Sequence, residues 1–284
     1  MRAEQLTDPV CLHAEGPVYS PRWRGVRWVD MLAGDILELL PDGSIDRAHV
    51  GDVAAVLRAR VGGGLIIAVR RGLAITDDDS LHSPVHALPE LWSDENLRMN
   101  EGGCDPSGAF YAGSVTYDHT PGAAELWRVG PDLRPQRVLG DVTVSNGLEW
   151  SPDGGLAYYV DSVTHRIDVF DWDAVAGFTD RRAFVTIETE AEPDGITVDA
   201  DGGIWVALHG GSSVRRYTSD GRLDEVIEVP VRQVTAVTFA GPALDQLVIT
   251  TSRKGLGAQA EPLAGALFAV MPGVHGRAAK EFAA

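Results

Sequence analysis

The feature that most restricts what this chain can fold into is a recurrence of turn signals. Turn-bearing segments begin near Ser20 (Ser-Pro-Arg-Trp), Gly62 (Gly-Gly-Gly), Asp105 (Asp-Pro-Ser-Gly), Ser151 (Ser-Pro-Asp-Gly), Asp199 (Asp-Ala-Asp-Gly-Gly) and Gly241. Their spacing of roughly 45 residues is the period of one four-stranded propeller blade. In the Ser-Pro-Asp-Gly form, Pro presets φ, Asp caps the turn locally and Gly accepts positive φ. After each turn comes a short apolar run: Val26–Asp30, Leu65–Val69, Ala109–Gly113, Leu156–Val160, Ile204–Leu208 and Leu247–Thr250. Runs of this length, rich in β-branched and aromatic residues, predict strands buried on both faces. A second strand is expected at Asp35–Leu39, Glu125–Val129, Arg166–Phe170, Val214–Tyr217 and Ala266–Val270. The chain of 284 residues holds about six such units, which predicts an all-β, six-bladed β-propeller over residues 1–284 as one domain. Val53–Val61 is the best helical candidate. Val10–Leu12 and Leu267–Val270 are expected to close the ring from both ends, which removes free sheet edges.

Composition narrows the function. The net charge is -17, and no basic stripe with interleaved aromatics is present, so nucleic acid and anionic lipid are excluded as expected partners. Two cysteines, Cys11 and Cys104, make no disulfide framework, and packing is the role expected of Cys104. The N-terminal stretch lacks the apolar core of a signal peptide, and no apolar run reaches the length of a membrane span. A cytoplasmic protein, monomeric or weakly self-associating, is expected.

Three residues break the repeat. Glu15 opens Glu-Gly-Pro-Val-Tyr, Asn146 opens Asn-Gly-Leu, and Asp194 opens Asp-Gly-Ile-Thr-Val. Each is an oxygen ligand followed by glycine and then an apolar strand, with the glycine letting backbone pass close by. Asn-Gly and Asp-Gly are also strong turn signals. Here, however, Ser151-Pro152-Asp153-Gly154 and Asp199-Ala200-Asp201-Gly202 follow within a few residues and already supply the turns. Propellers bind ligands over the central channel, where the innermost strands converge. The three positions therefore read as one site for a divalent metal.

With these motifs in place the chain resembles the gluconolactonase family that includes senescence marker protein (regucalcin) and luciferin-regenerating enzyme. The resemblance rests on Glu15-Gly16-Pro17, Leu97-Arg98-Met99-Asn100 with Asp105-Pro106-Ser107-Gly108 and Ala112-Gly113-Ser114, Ser145-Asn146-Gly147-Leu148, Pro193-Asp194-Gly195 with Ile204–Ala207, and Thr251–Gly257. It implies a six-bladed propeller with Glu15, Asn146 and Asp194 as metal ligands. It also implies substrate contacts at Arg98 and Asn100, and at Asp118, where relatives commonly carry the longer Glu. His209, in His-Gly-Gly, stands where relatives carry Tyr, Asn or Trp; it either faces the pocket or is hydrogen-bonded structure.

The expected activity is hydrolysis of a small-molecule lactone, an aldonolactone such as gluconolactone, with Asp194 as ligand and base. Two carboxylates and an amide oxygen form a hard site suited first to Ca²⁺, with Zn²⁺, Mg²⁺, Mn²⁺ and Fe²⁺ as alternatives. The competing readings are a phosphotriesterase of the diisopropyl-fluorophosphatase kind, a non-enzymatic calcium-binding regulatory propeller, and a plain interaction platform.

Overall fold

A computed structural model describes residues 1–284. Twenty-four strands form six four-stranded antiparallel sheets, the blades of a β-propeller. The innermost strands, in blade order, are Ala14–Val18, Ala54–Ala59, Leu97–Cys104, Ser145–Trp150, Glu192–Val198 and Val234–Ala240. Each of the six turn signals joins an innermost strand to the second strand of its blade. Their polar side chains hold these turns from within. The Asp105 carboxylate accepts from the Ser107 and Ala109 N–H groups, the Ser151 hydroxyl from Leu156, and the Asp199 carboxylate from Asp201 and Gly203.

The core is spread over the ring rather than gathered in one place. Wedges of side chains fill the gaps between neighbouring blades. The largest contains Val29, Ile36, Leu57, Ile66, Met99, Phe110 and Phe282; another is built around Trp205, Phe239 and Phe268. Ring closure does come from both ends, but from a different N-terminal segment than expected. Glu4–Gln5 pairs with Phe268–Val270 as the outer edge of blade 6. Val10–Leu12 instead leads into the first innermost strand, where the Leu12 and His13 N–H groups donate to the Asp30 carboxylate.

Val53–Val61 is not helical. Ala54–Ala59 is the innermost strand of blade 2, fully buried at five of its six residues. A short apolar run carries no period that separates strand from buried helix, and the surrounding blades decide the outcome. The only helical pieces are three 3₁₀ turns of three residues each. No helix is long and apolar enough to cross a membrane.

The chain after Val270 runs across the far end of the ring. His275 accepts from Ala200, Arg277 donates to the Trp150 carbonyl, Phe282 pairs with Ala59 and Val61, and Ala283 with Gly108. This segment closes the channel at the end opposite the strand entrances.

Candidate functional site

All six innermost strands slip register by one residue near their entrance. Such a bulge turns a side chain that would lie between blades into the channel. The residues at or beside these slips are Glu15, Ala55, Asn100, Asn146, Asp194 and Thr235. Four of the six carry a carboxylate or a carboxamide, and all four line one solvent-open cavity of about 220 Å³ at the mouth of the channel. Glu15, Asn146, Asp194 and Arg98 are each more than nine-tenths buried. The three residues singled out as breaking the repeat are thus brought together, with Arg98, Asn100 and His209 around them.

The glycines after two of the three bring blades together. A Cβ on Gly147 would stand 2.7 Å from the Asp194 carbonyl oxygen, and one on Gly195 would stand 2.5 Å from the Ala236 Cβ. Their absence lets neighbouring innermost strands approach closely enough to converge their side chains.

Two aspartates set the entrances of blades 1 and 4. Asp30 and Asp161 end the second strands. Their carboxylates accept from His13 and from Thr143 and Val144, the residues that precede Ala14 and Ser145. After Asp161 a 3₁₀ turn delivers Ser162 into the site. Ser162 donates its hydroxyl proton to the Pro193 carbonyl at 2.7 Å, so it accepts from Asn146 Nδ2, also at 2.7 Å. That bond fixes the Asn146 amide with Oδ1 toward the cavity.

Arg98 fixes the second amide. Its Nη1 donates to Asn100 Oδ1 at 2.8 Å and to the Met99 carbonyl, while Asn100 Nδ2 donates to the Ser145 carbonyl and to Asn146 Oδ1. The guanidinium carbon lies 5.8 Å from the centre of the Tyr117 ring, and Nε has no partner.

The electrostatics of the site are strained. Burial, together with the charges of Asp194 and Glu101, holds the Glu15 carboxyl well above its usual range. Burial, Glu101 and Glu192 do the same for Asp194, whose Oδ1 is buried without a hydrogen-bond partner. Burial lowers the proton affinity of His13 and His209, so both are neutral at pH 7.

Asp118 is placed outside the cavity. It sits in an exposed turn, where Thr120 and Asn96 donate to its carboxylate and hold its pKa below the usual range. Its neighbour His119 lines the cavity instead. Sequence reasoning missed His13, Ser162, Glu192 and Lys254, which also line it, and the buried Glu101 beneath. Of these, Glu101 had a visible signal: a carboxylate directly after Asn100, at the position Gly147 holds after Asn146. Cys104 is buried in the core.

A propeller whose innermost strands aim two carboxylates, two carboxamides and an arginine into one mouth is a small-molecule site of the polar kind. Residues 13–253 match the family model described as SMP-30/Gluconolactonase/LRE-like region, and the chain belongs to that family. It is similar to a 6-deoxy-6-sulfogluconolactonase of Pseudomonas putida, 34% identical over 281 residues, with 95% of this chain and 94% of that protein covered. It is similar to the regucalcin of Danio rerio, 30% identical, with 90% and 89% covered. Among solved structures, a calcium-binding protein of Agrobacterium tumefaciens, regucalcin, superposes with a TM-score of 0.91 at 27% identity, covering 99% of this chain and 97% of that one.

Proposed function

We propose that this protein hydrolyses a sugar lactone to its hydroxy acid with one divalent cation held by Glu15, Asn146 and Asp194. The observation that carries the reading is the pair of buried carboxylates, Glu15 and Asp194, lining one cavity with the Asn146 carboxamide. Without a cation this arrangement is costly: two carboxylates are desolvated and repel one another, and Asp194 Oδ1 has no donor. No three His, Cys, Asp or Glu side chains cluster as a cage, so the donor set is two carboxylates and one carboxamide. All three are oxygens, which suits a hard cation, Ca²⁺ before Mg²⁺ or Mn²⁺. Three protein ligands leave positions for substrate and water. Likeness to the P. putida sulfogluconolactonase supports the sugar-lactone class, and likeness to the A. tumefaciens calcium-binding protein supports calcium.

When bound, the cation supplies Lewis-acid polarisation of the lactone carbonyl. The chain's own residues then have separate tasks. Asp194 takes a proton from the attacking water as the water oxygen bonds to the carbonyl carbon. The ring C–O bond breaks, and the proton passes to the departing alkoxide oxygen. Arg98, whose Nη1 is taken up by protein acceptors, donates to ring hydroxyls from Nη2. Asn100 already gives both Nδ2 protons to protein oxygens, so its part is to orient Arg98 and Asn146.

The test is proton release from a panel of sugar lactones by chelator-stripped protein resupplied with single cations. Turnover that vanishes on stripping and returns with one cation is expected. Cation binding with no turnover above the spontaneous rate on any lactone would overturn the reading in favour of a binding protein.

A further inference from the structure

Most arginines of this acidic chain find carboxylates: Arg27 pairs with Glu38, and Arg216 with Asp199 and Asp224. The two cations of the cavity do not. Arg98 is 4% exposed with only Nη1 engaged, by Met31 Sδ, the Met99 carbonyl and Asn100, and Nε unpartnered. Lys254, half-buried on the loop after the second strand of blade 6, forms no side-chain hydrogen bond or ion pair. Blades 3 and 6 face each other across the ring, so the two side chains approach from opposite walls. Both line the same cavity of about 220 Å³. Two cationic side chains sharing one partly buried cavity call for anions beside them.

The carboxylates of the cavity do not meet that need once a divalent cation neutralises Glu15 and Asp194. Among the residues that line the cavity, Arg98 and Lys254 then stand against Glu192 alone, while Glu101 lies buried beneath with Arg58 as its opposite charge. The loaded cavity carries a net positive charge in a protein of net charge -17. A neutral sugar lactone leaves that charge unpaired.

We propose that the substrate is a lactone bearing a second group that is anionic, a carboxylate, sulfonate or phosphate, and that Lys254, together with Arg98, selects it. This rests on the lactonase reading above. It goes beyond that reading in naming the charge class of the substrate and the residue that reads it. A contact from Lys254 to the carboxylate that hydrolysis produces would act on all lactones alike, so a preference for charged lactones that depends on Lys254 separates the two roles.

The experiment compares kcat/KM for glucono-1,5-lactone with that for the same ring carrying a 6-phosphate, 6-sulfonate or 6-carboxylate, in the calcium-loaded protein. At least a tenfold preference for one or more of the charged lactones is expected, and the best of the three identifies the anion. Lys254→Met is expected to bring the ratio close to one, and Lys254→Arg to keep it. Equal rates, a preference for the neutral lactone, or a ratio unchanged in Lys254→Met would overturn the inference while leaving lactone hydrolysis intact. If no lactone is turned over, the hydrolytic reading falls, and calorimetry with gluconate and 6-phosphogluconate decides the anion site by itself. Tighter binding of 6-phosphogluconate that is lost in Lys254→Met supports the site; equal binding of the two acids overturns it.

Discussion

Asn100 Nδ2 donates to Asn146 Oδ1 across 3.0 Å, joining the innermost strands of two adjacent blades at the mouth of the channel. The bond links the two halves of the site. Asn100 is held by Arg98 on the substrate side, and Asn146 is held by Ser162 on the proposed metal side. A carboxamide oxygen has two lone pairs, so Asn146 Oδ1 can keep the Asn100 bond and still bind a cation.

The chain Asn146–Ser162–Pro193 makes Ser162 the test of that orientation. In Ser162→Ala, Asn146 Nδ2 loses its acceptor, and the amide is held only by the Asn100 bond to Oδ1. Removing such a supporting partner typically weakens metal binding about 10- to 100-fold. A titration of chelator-stripped Ser162→Ala with Ca²⁺ should show that loss with the thermal midpoint little changed. Affinity equal to the parent protein would mean that the Ser162 bond does not set the orientation of Asn146.

Glu15 carries a pH dependence whose sign follows from its burial. Its carboxyl, like that of Asp194, binds protons above the ordinary values of 4.5 and 3.8. Below those values the folded and unfolded chains are both protonated, and the pair contributes nothing. As pH rises past them the unfolded chain releases its protons first. Metal-free stability therefore falls until the folded groups ionise. Glu15→Gln removes one member of the pair. Stripped of metal at neutral pH, this variant should melt at a higher temperature than the parent. With excess Ca²⁺ the order should reverse. Calorimetric scans of both proteins, with and without Ca²⁺, check both signs.

Much of this architecture is legible in the sequence because turn chemistry is local. Asp105, Ser151 and Asp199 bond the backbone within their own turns, so their residue types report the turn directly. Glu15, Asn146 and Asp194 are legible for a related reason, since each interrupts a repeated pattern. Lys254, Ser162 and His13 are not. They stand at ordinary loop positions and reach the mouth only because six separate blades converge there. Asp118 shows the converse. A likeness of motif put it at the substrate, while Thr120, two residues on, holds its carboxylate in an exposed turn. The strand Ala54–Ala59 was hidden because an alanine-rich run states no preference that its neighbours cannot override.

Phe282 anchors the segment across the far end of the channel. It is fully buried, lies 6.4 Å from Phe110 edge-on, and its backbone pairs with blade 2. Phe282→Ala should cost about 3–5 kcal/mol, the usual loss for a buried phenylalanine. Because the segment lies at the end away from Glu15 and Asp194, Ca²⁺ stoichiometry should stay that of the parent. Chemical denaturation measures the first and calorimetric titration the second; a loss of both together would mean that the tail also shapes the mouth.

Gly147 ties fold and site most closely. An added Cβ would meet the Asp194 carbonyl oxygen and the Ile196 nitrogen, both at 2.7 Å, and these are backbone atoms that cannot swing aside as a side chain tip would. Gly147→Ala must push the innermost strands of blades 4 and 5 apart, at about 1–3 kcal/mol for overpacking of this size. The displacement falls on Asn146 and Asp194 together. Metal affinity should drop more than stability alone explains, even though no ligand atom has been altered. Thermal unfolding and Ca²⁺ titration of the same variant separate the two effects. A variant with lowered stability and parental Ca²⁺ affinity would show that the cation does not bridge these two strands.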